Sequence, residues 1–256
     1  MAVNYWLISG GFERVVTMKK KIFNVRVLVI CAVMSAIGVV LAFFIHFPII
    51  PAVPFLEYDP ADILIFMSTY SFGIPVGLAM TVVVAVVQGL TVSASSGFTG
   101  ILMHFVSTGG YVLAAGLIYK LVEKAMRKSS APRTAMEITS LAGSTLVGIG
   151  TTVGLMTIWN IWLTPIFMGI DRQLLIDNFL YLIVIFNVIK ISINGVAAAI
   201  YAVPFRRLAY SLTGRTVAEK DSTEKVSGHV DTMLGFGIIL AELVTITIIV
   251  LAIIKS

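Results

Sequence analysis

Asn187, Lys190 and Asn194 stand at i, i+3 and i+7 within an apolar run, residues 175–203, that is long enough to cross a bilayer. On a helix the three share one face. A lysine near mid-membrane costs about 2.5–3.5 kcal/mol on insertion scales, so it faces a cavity or a partner group rather than lipid. Two chemistries satisfy it. In one, the stripe reads a polar ligand from inside a helix bundle, the amides offering donor and acceptor and the ammonium offering donors only. In the other, Lys190 pairs with an acid or with carbonyl oxygens and ties helices together. A further neutral hydrogen-bonding group, Asn160, lies in the segment WNIWLTP (159–165), whose tryptophans suit a membrane interface. His104 sits alone in another apolar run and reads as a structural histidine.

Catalytic signatures are missing from the sequence. There is no GxxxxGK[ST] loop for hydrolysing ATP, no HExxH or CxxC, and no regular arginine series or TVGYG filter. His46, His104 and His229 lie in scattered contexts that build neither a triad nor a metal site. The single cysteine, Cys31, falls in an apolar run and reads as a small buried residue. Binding or transport is therefore favoured over catalysis.

The elements that position these residues are membrane helices. The 256 residues are 58% hydrophobic and 12% charged, with a mean hydropathy of +1.00; a soluble domain carries about 25% charged residues. The net charge of +5 does not mark a nucleic-acid binder, because the basic residues gather at the ends of apolar runs. Spans are expected at 25–47, 61–72, 74–91, 98–121, 138–167 and 175–203, the last ending near Pro204. Of the 18 Lys and Arg, all but Arg172, Lys190 and Lys255 fall on the side assigned to the cytoplasm, which also holds the N-terminus.

Between the first two spans, Pro48, Pro51, Pro54 and Pro60 prevent a continuous helix. That loop is apolar and carries Glu57 and Asp59 but no basic residue, so it is expected outside, folded back as a lid. Small residues from Ala142 to Gly154 predict a close-packing surface on the fifth span. Residues 1–17 read as an extension ahead of Met18, 18–210 as a six-helix substrate-binding domain and 211–231 as a cytoplasmic linker. Residues 232–256 hold a seventh apolar run, 233–254, whose Glu242 is a candidate partner for Lys190.

Four stretches together resemble the riboflavin-specific substrate-capture subunit (S component) of energy-coupling factor (ECF) vitamin transporters. They are FLEYDPADI (55–63), FGIPVG (72–77), WNIWLTP (159–165) and FNVIK (186–190). The sequence departs from the family pattern at Leu64, at Ile74 and in the extra run at 233–254. The resemblance implies an all-α membrane protein: a six-helix transmembrane bundle of the ECF S-component type, plus an extra C-terminal transmembrane helix. It implies no enzymatic activity, no cofactor and no metal, with riboflavin as the transported ligand. Asn160, Asn187 and Lys190 would contact the uracil-like edge of the flavin ring; Leu56, Tyr58 and Asp59 would cover the site and meet the ribityl chain. Ala32 and Ala36 match an AxxxA contact for a transmembrane coupling subunit, which works with two cytoplasmic ATPase subunits. Asn194 lies outside the shared motif and reads as a packing or helix-contact residue. Two alternatives stand beside this reading: an S component for another vitamin or flavin, and a structural membrane subunit with Lys190 paired to Glu242.

Overall fold

The computed structural model describes residues 25–45, 47–126 and 132–213. They form α1 (Val25–Phe44), a short hairpin of β1 (Phe47–Pro48) and β2 (Glu57–Tyr58), α2 (Ala61–Phe72), α3 (Ile74–Leu90), α4 (Gly97–Met126), α5 (Arg133–Met168), α6 (Arg172–Asn178) and α7 (Leu180–Thr213). The helices α1, α4, α5 and α7 are long and apolar enough to cross a membrane; α2 and α3 are shorter apolar helices.

The short α2 is the centre of the bundle. It is buried from Ile65 to Phe72 and again at Ala61 and Asp62, because α1, α3, α4 and α7 all pack around it. That burial is why a 12-residue membrane helix carries Asp62, Ser68, Thr69, Tyr70 and Ser71: its polar groups meet protein rather than lipid. Thr69 and Ser71 return their hydroxyls to the carbonyls of Ile65 and Met67. The α2–α3 boundary is a sharp turn at Gly73, whose φ of 97° favours glycine. Gly77 lets α3 close on α2, since a Cβ there would lie 2.1 Å from Thr69 Oγ1.

Tyr111 is the pivot of α4. Its ring stacks on Phe66 at 3.7 Å between centroids, and its hydroxyl meets that of Tyr70 at 3.0 Å. It fits because α5 and α7 present glycines there: a Cβ at Gly148 would lie 2.7 Å from the Tyr111 ring, and one at Gly195 2.8 Å from its hydroxyl. The close-packing surface expected on the fifth span is thus carried by Gly148 with the buried Ser144, Thr152 and Gly154, whereas Ala142 is exposed.

Two boundaries differ from expectation. The run 175–203 is not one span: Leu175 belongs to α6, a separate helix started by Asp171, whose side chain accepts from the backbone N–H groups of Gln173 and Leu174. The last span starts at Leu180 and runs on through Pro204 to Thr213. Contacts beyond the proline hold that end in place. Arg206 donates to Tyr70 O and pairs with Glu137 at 2.7 Å, and Tyr210 donates to Ser71 O. These donors also satisfy carbonyls that the end of α2 leaves open. The extension 1–17, most of the linker, the seventh apolar run and Glu242 lie outside the described residues.

Gly148→Ala is expected to overpack the Tyr111 seat and destabilise the protein by about 1–3 kcal/mol, read as a lower melting temperature in detergent. Gly143→Ala, whose Cβ meets nothing within 4 Å, should leave that temperature unchanged.

Candidate ligand-binding site

A cavity with about 140 Å³ of room for water-sized molecules lies where α2 begins, α3 and α5 end, and α4 and α7 begin. The hairpin loop supplies Phe55, Leu56, Glu57 and Asp59; α5 supplies Asn160 and Thr164; α7 supplies Phe186, Asn187 and Lys190. The loop is held as a lid in two ways. Its strands pair Phe47 with Tyr58 and Pro48 with Glu57. Its apolar residues Val53 and Leu56 bury themselves against Leu175 of α6 and Ile183 and Phe186 of α7. This burial explains why a proline-rich loop is so apolar.

Asn160 and Asn187 are both buried. Each donates one amide hydrogen to the carbonyl four residues back, Asn160 to Met156 O at 2.7 Å and Asn187 to Ile183 O at 2.8 Å. Thr164 donates to Asn160 Oδ1 at 2.8 Å. These bonds fix the side-chain orientations and leave each amide a second N–H.

Lys190 has a partner the sequence reading did not assign. Its Nζ lies 3.7 Å from Oδ2 of Asp62, whose side chain is 0% exposed. A fully buried carboxylate needs opposite charge and donors, and two helices provide them. Thr108 of α4 donates to Asp62 Oδ1 at 2.6 Å, and Asn194 of α7 lies 3.5 Å from Oδ2. His104 stands between two acids, Nδ1 3.5 Å from Asp59 Oδ2 and Nε2 3.6 Å from Asp62 Oδ1. Asp59, Asp62 and His104 bring three ligand-type atoms within 4.8 Å of one another. The Lys190 ammonium is already the counter-charge of that cluster and opposes a metal cation there.

Asn194 contacts the lid as well as the helix α2. It donates to Asp59 O at 2.8 Å and accepts from the Tyr58 hydroxyl at 2.9 Å, so it latches the lid to α7. Burial, and then the negative charges of Asp62 and Asp59, push the Tyr58 hydroxyl above its ordinary pKa, which keeps it protonated and donating. Tyr58 lies outside the cavity lining, whereas Asn160, Asn187, Lys190, Leu56 and Asp59 all line it. Ala32 and Ala36 do not line the cavity and lie on the exposed face of α1. The buried face of that helix is Val27, Cys31, Ser35, Gly38 and Ala42.

The family model for the ECF transporter substrate-specific component matches residues 26–203. The chain belongs to this family. It is also similar in fold to the solved S component of a bacterial ECF transporter, with a TM-score of 0.51 and 24% identity over 73% of this chain and 96% of that one. No curated protein matches the sequence. The match to the family contains the lid and every wall of the cavity. An S component is a transporter subunit and not an enzyme, so the polar groups of this S component are to be read as binding groups. Its described basic residues divide accordingly: Arg172 and Lys190 occupy the cavity half, while Arg26, Lys120, Lys124, Arg206 and Arg207 lie toward the opposite end.

Sequence reasoning gave Asp62 and Thr108 no role, and it read His104 as a lone structural histidine, whereas that residue stands beside both acids in the cavity lining. One signal was available: an aspartate at the start of an apolar run needs a partner as much as Lys190 does. Asp62→Leu alone strands the Lys190 charge and is expected to cost about 3–5 kcal/mol, read as a fall in melting temperature. Adding Lys190→Met should recover most of the loss.

Proposed function

We propose that this S component captures riboflavin at the outer face of the cell membrane, its N-terminus in the cytoplasm. One observation carries the reading: Asn160, Asn187 and Lys190 converge on one cavity beneath an apolar lid. The uracil-like edge of a flavin alternates carbonyl acceptors with an imide N–H. Amides present both donors and acceptors, and an ammonium presents donors to the carbonyls. Phe55, Leu56, Met103, Phe167 and Phe186 supply apolar walls for the dimethylbenzene end of the ring. Leu56 and Asp59 belong to the cover, and Tyr58 acts on the ligand through the latch to Asn194.

Delivery inward follows from the family: an ECF transmembrane coupling subunit and two ATPase subunits supply the energy. Ala32 and Ala36 are the proposed contact for the coupling subunit. Neither is used in packing within the described chain, and small residues on an exposed face let another helix approach closely.

The Lys190–Asp62 contact favours a second reading, in which the lysine is structural. Fluorescence quenching of riboflavin by the purified protein separates the two. The binding reading expects tight quenching, a flavin absorption band in protein purified from riboflavin-containing medium, and a loss of affinity of at least tenfold in Lys190→Ala. A colourless protein that quenches nothing would overturn it. A Lys190→Ala protein that keeps its affinity but unfolds in detergent would establish the structural role. Tyr58→Phe removes one latch hydrogen bond worth about 1 kcal/mol and is expected to speed flavin release about fivefold in stopped-flow chase experiments.

A further inference from the structure

Among the described residues two side chains of the cavity lining, Gln88 and His104, each bury a nitrogen that has no hydrogen-bond partner; that of His104 stands 3.6 Å from Asp62 Oδ1, whereas that of Gln88 belongs to a neutral amide. Gln88 lies on α3, is 4% exposed, and lines the cavity. Its Nε2 has no hydrogen-bond partner among the described residues. The backbone carbonyl of Gln88 is already in use, accepting from Thr91 N at 3.0 Å and Ser93 N at 2.9 Å. The peptide group at this position is therefore fixed by the turn that follows, while the amide N–H is not spent on it. Burying such a donor unpaired destabilises the empty protein, and a cavity is where a ligand atom can relieve that.

The position of Gln88 decides which part of a ligand it meets. The helix α3 packs on α1, α2 and α4, whereas α5 and α7, which carry Asn160, Asn187 and Lys190, pack on each other. Gln88 thus lines the cavity from a different helix than those three. From Gln88 to Ser107 the chain gives the lining four hydroxyls, Ser93, Ser96, Thr99 and Ser107, beside Gly89, Gly100, Met103 and His104. Hydroxyl groups both donate and accept, so this wall matches a chain of hydroxyls rather than an aromatic face.

We infer that Gln88 is a specificity-determining residue of this S component, whose amide donates a hydrogen bond to an oxygen of a hydroxylated chain carried by the ligand. The inference rests on the flavin reading above, in which that chain is the ribityl group of riboflavin. The orphan donor is then the selection device. A ligand with an acceptor oxygen at this wall satisfies Gln88, and a ligand without one leaves it buried and unpaired.

The test compares riboflavin with lumiflavin, which has the same ring and a methyl group in place of the hydroxylated chain. Affinities are measured by fluorescence quenching on the full-length protein in detergent, for the wild type and for Gln88→Leu. Gln88→Leu is expected to weaken riboflavin about tenfold, to leave lumiflavin unchanged, and to raise or preserve the melting temperature of the empty protein, since it removes an unsatisfied donor. Equal losses for both flavins, or unchanged riboflavin affinity, would overturn the assignment. Should Gln88→Leu bind neither flavin, Gln88→Glu decides: its carboxylate accepts but does not donate, so a riboflavin affinity equal to that of the wild type refutes the role, and a loss confined to riboflavin supports it. A wild type that binds lumiflavin as tightly as riboflavin refutes the subsite and leaves the flavin reading standing. A wild type that binds neither flavin overturns both.

Discussion

The structure depends on one buried carboxylate. Asp62 has no exposed side-chain surface, and stripping water from a carboxylate is tolerated only when the protein replaces what water gave. Here the replacements come from separate elements: Thr108 and His104 from α4, Lys190 and Asn194 from α7. The charge therefore fixes how α2, α4 and α7 meet at the cavity end. The same aspartate orients the ammonium that the proposed function needs, so structural and binding roles for Lys190 share a single contact.

Asn194 joins this centre to the lid. Its amide nitrogen approaches Asp62 Oδ2 and donates to Asp59 O, while its amide oxygen accepts from the Tyr58 hydroxyl. Those are single hydrogen bonds, each of modest net strength. The hairpin has only two paired positions per strand, too few to be stable alone. Most of the hold on the loop is the apolar packing of Val53 and Leu56 on α6 and α7. Such a cover is well placed when closed, yet its attachments are few enough to release together.

The opposite end is tied differently. Arg206 reaches the end of α2, the start of α5 through Glu137, and the ring of Tyr119 on α4 at 5.4 Å. A charge with an ion pair, a carbonyl and an aromatic face is a strong clamp. It lies away from the cavity, among residues that do not line it. The bundle thus has a clamped end and a cavity end, joined by the buried α2.

The sequence by itself determined the class of the molecule. Apolar runs of membrane length, basic residues grouped at their ends and a proline-rich interruption each follow from local composition, and they gave the helices, the loop that forms the lid and the polar stripe of Asn187 and Lys190. What depends on contact between distant segments was out of reach. Asp62 lies 128 residues before Lys190 in the chain, and nothing in the periodicity of either helix pairs them. Asn194 shared a face with Lys190 but became a latch only when the loop folded onto it. The separate start of α6 and the passage of α7 through Pro204 were decided by a cap at Asp171 and by side chains binding another helix. Gln88 gave no local sign at all: an amide in an apolar helix is unremarkable until tertiary packing buries its nitrogen beside a cavity and leaves it without a partner. Side-chain chemistry is written in the sequence, but whether a polar group is satisfied depends on the neighbours that only the folded chain supplies.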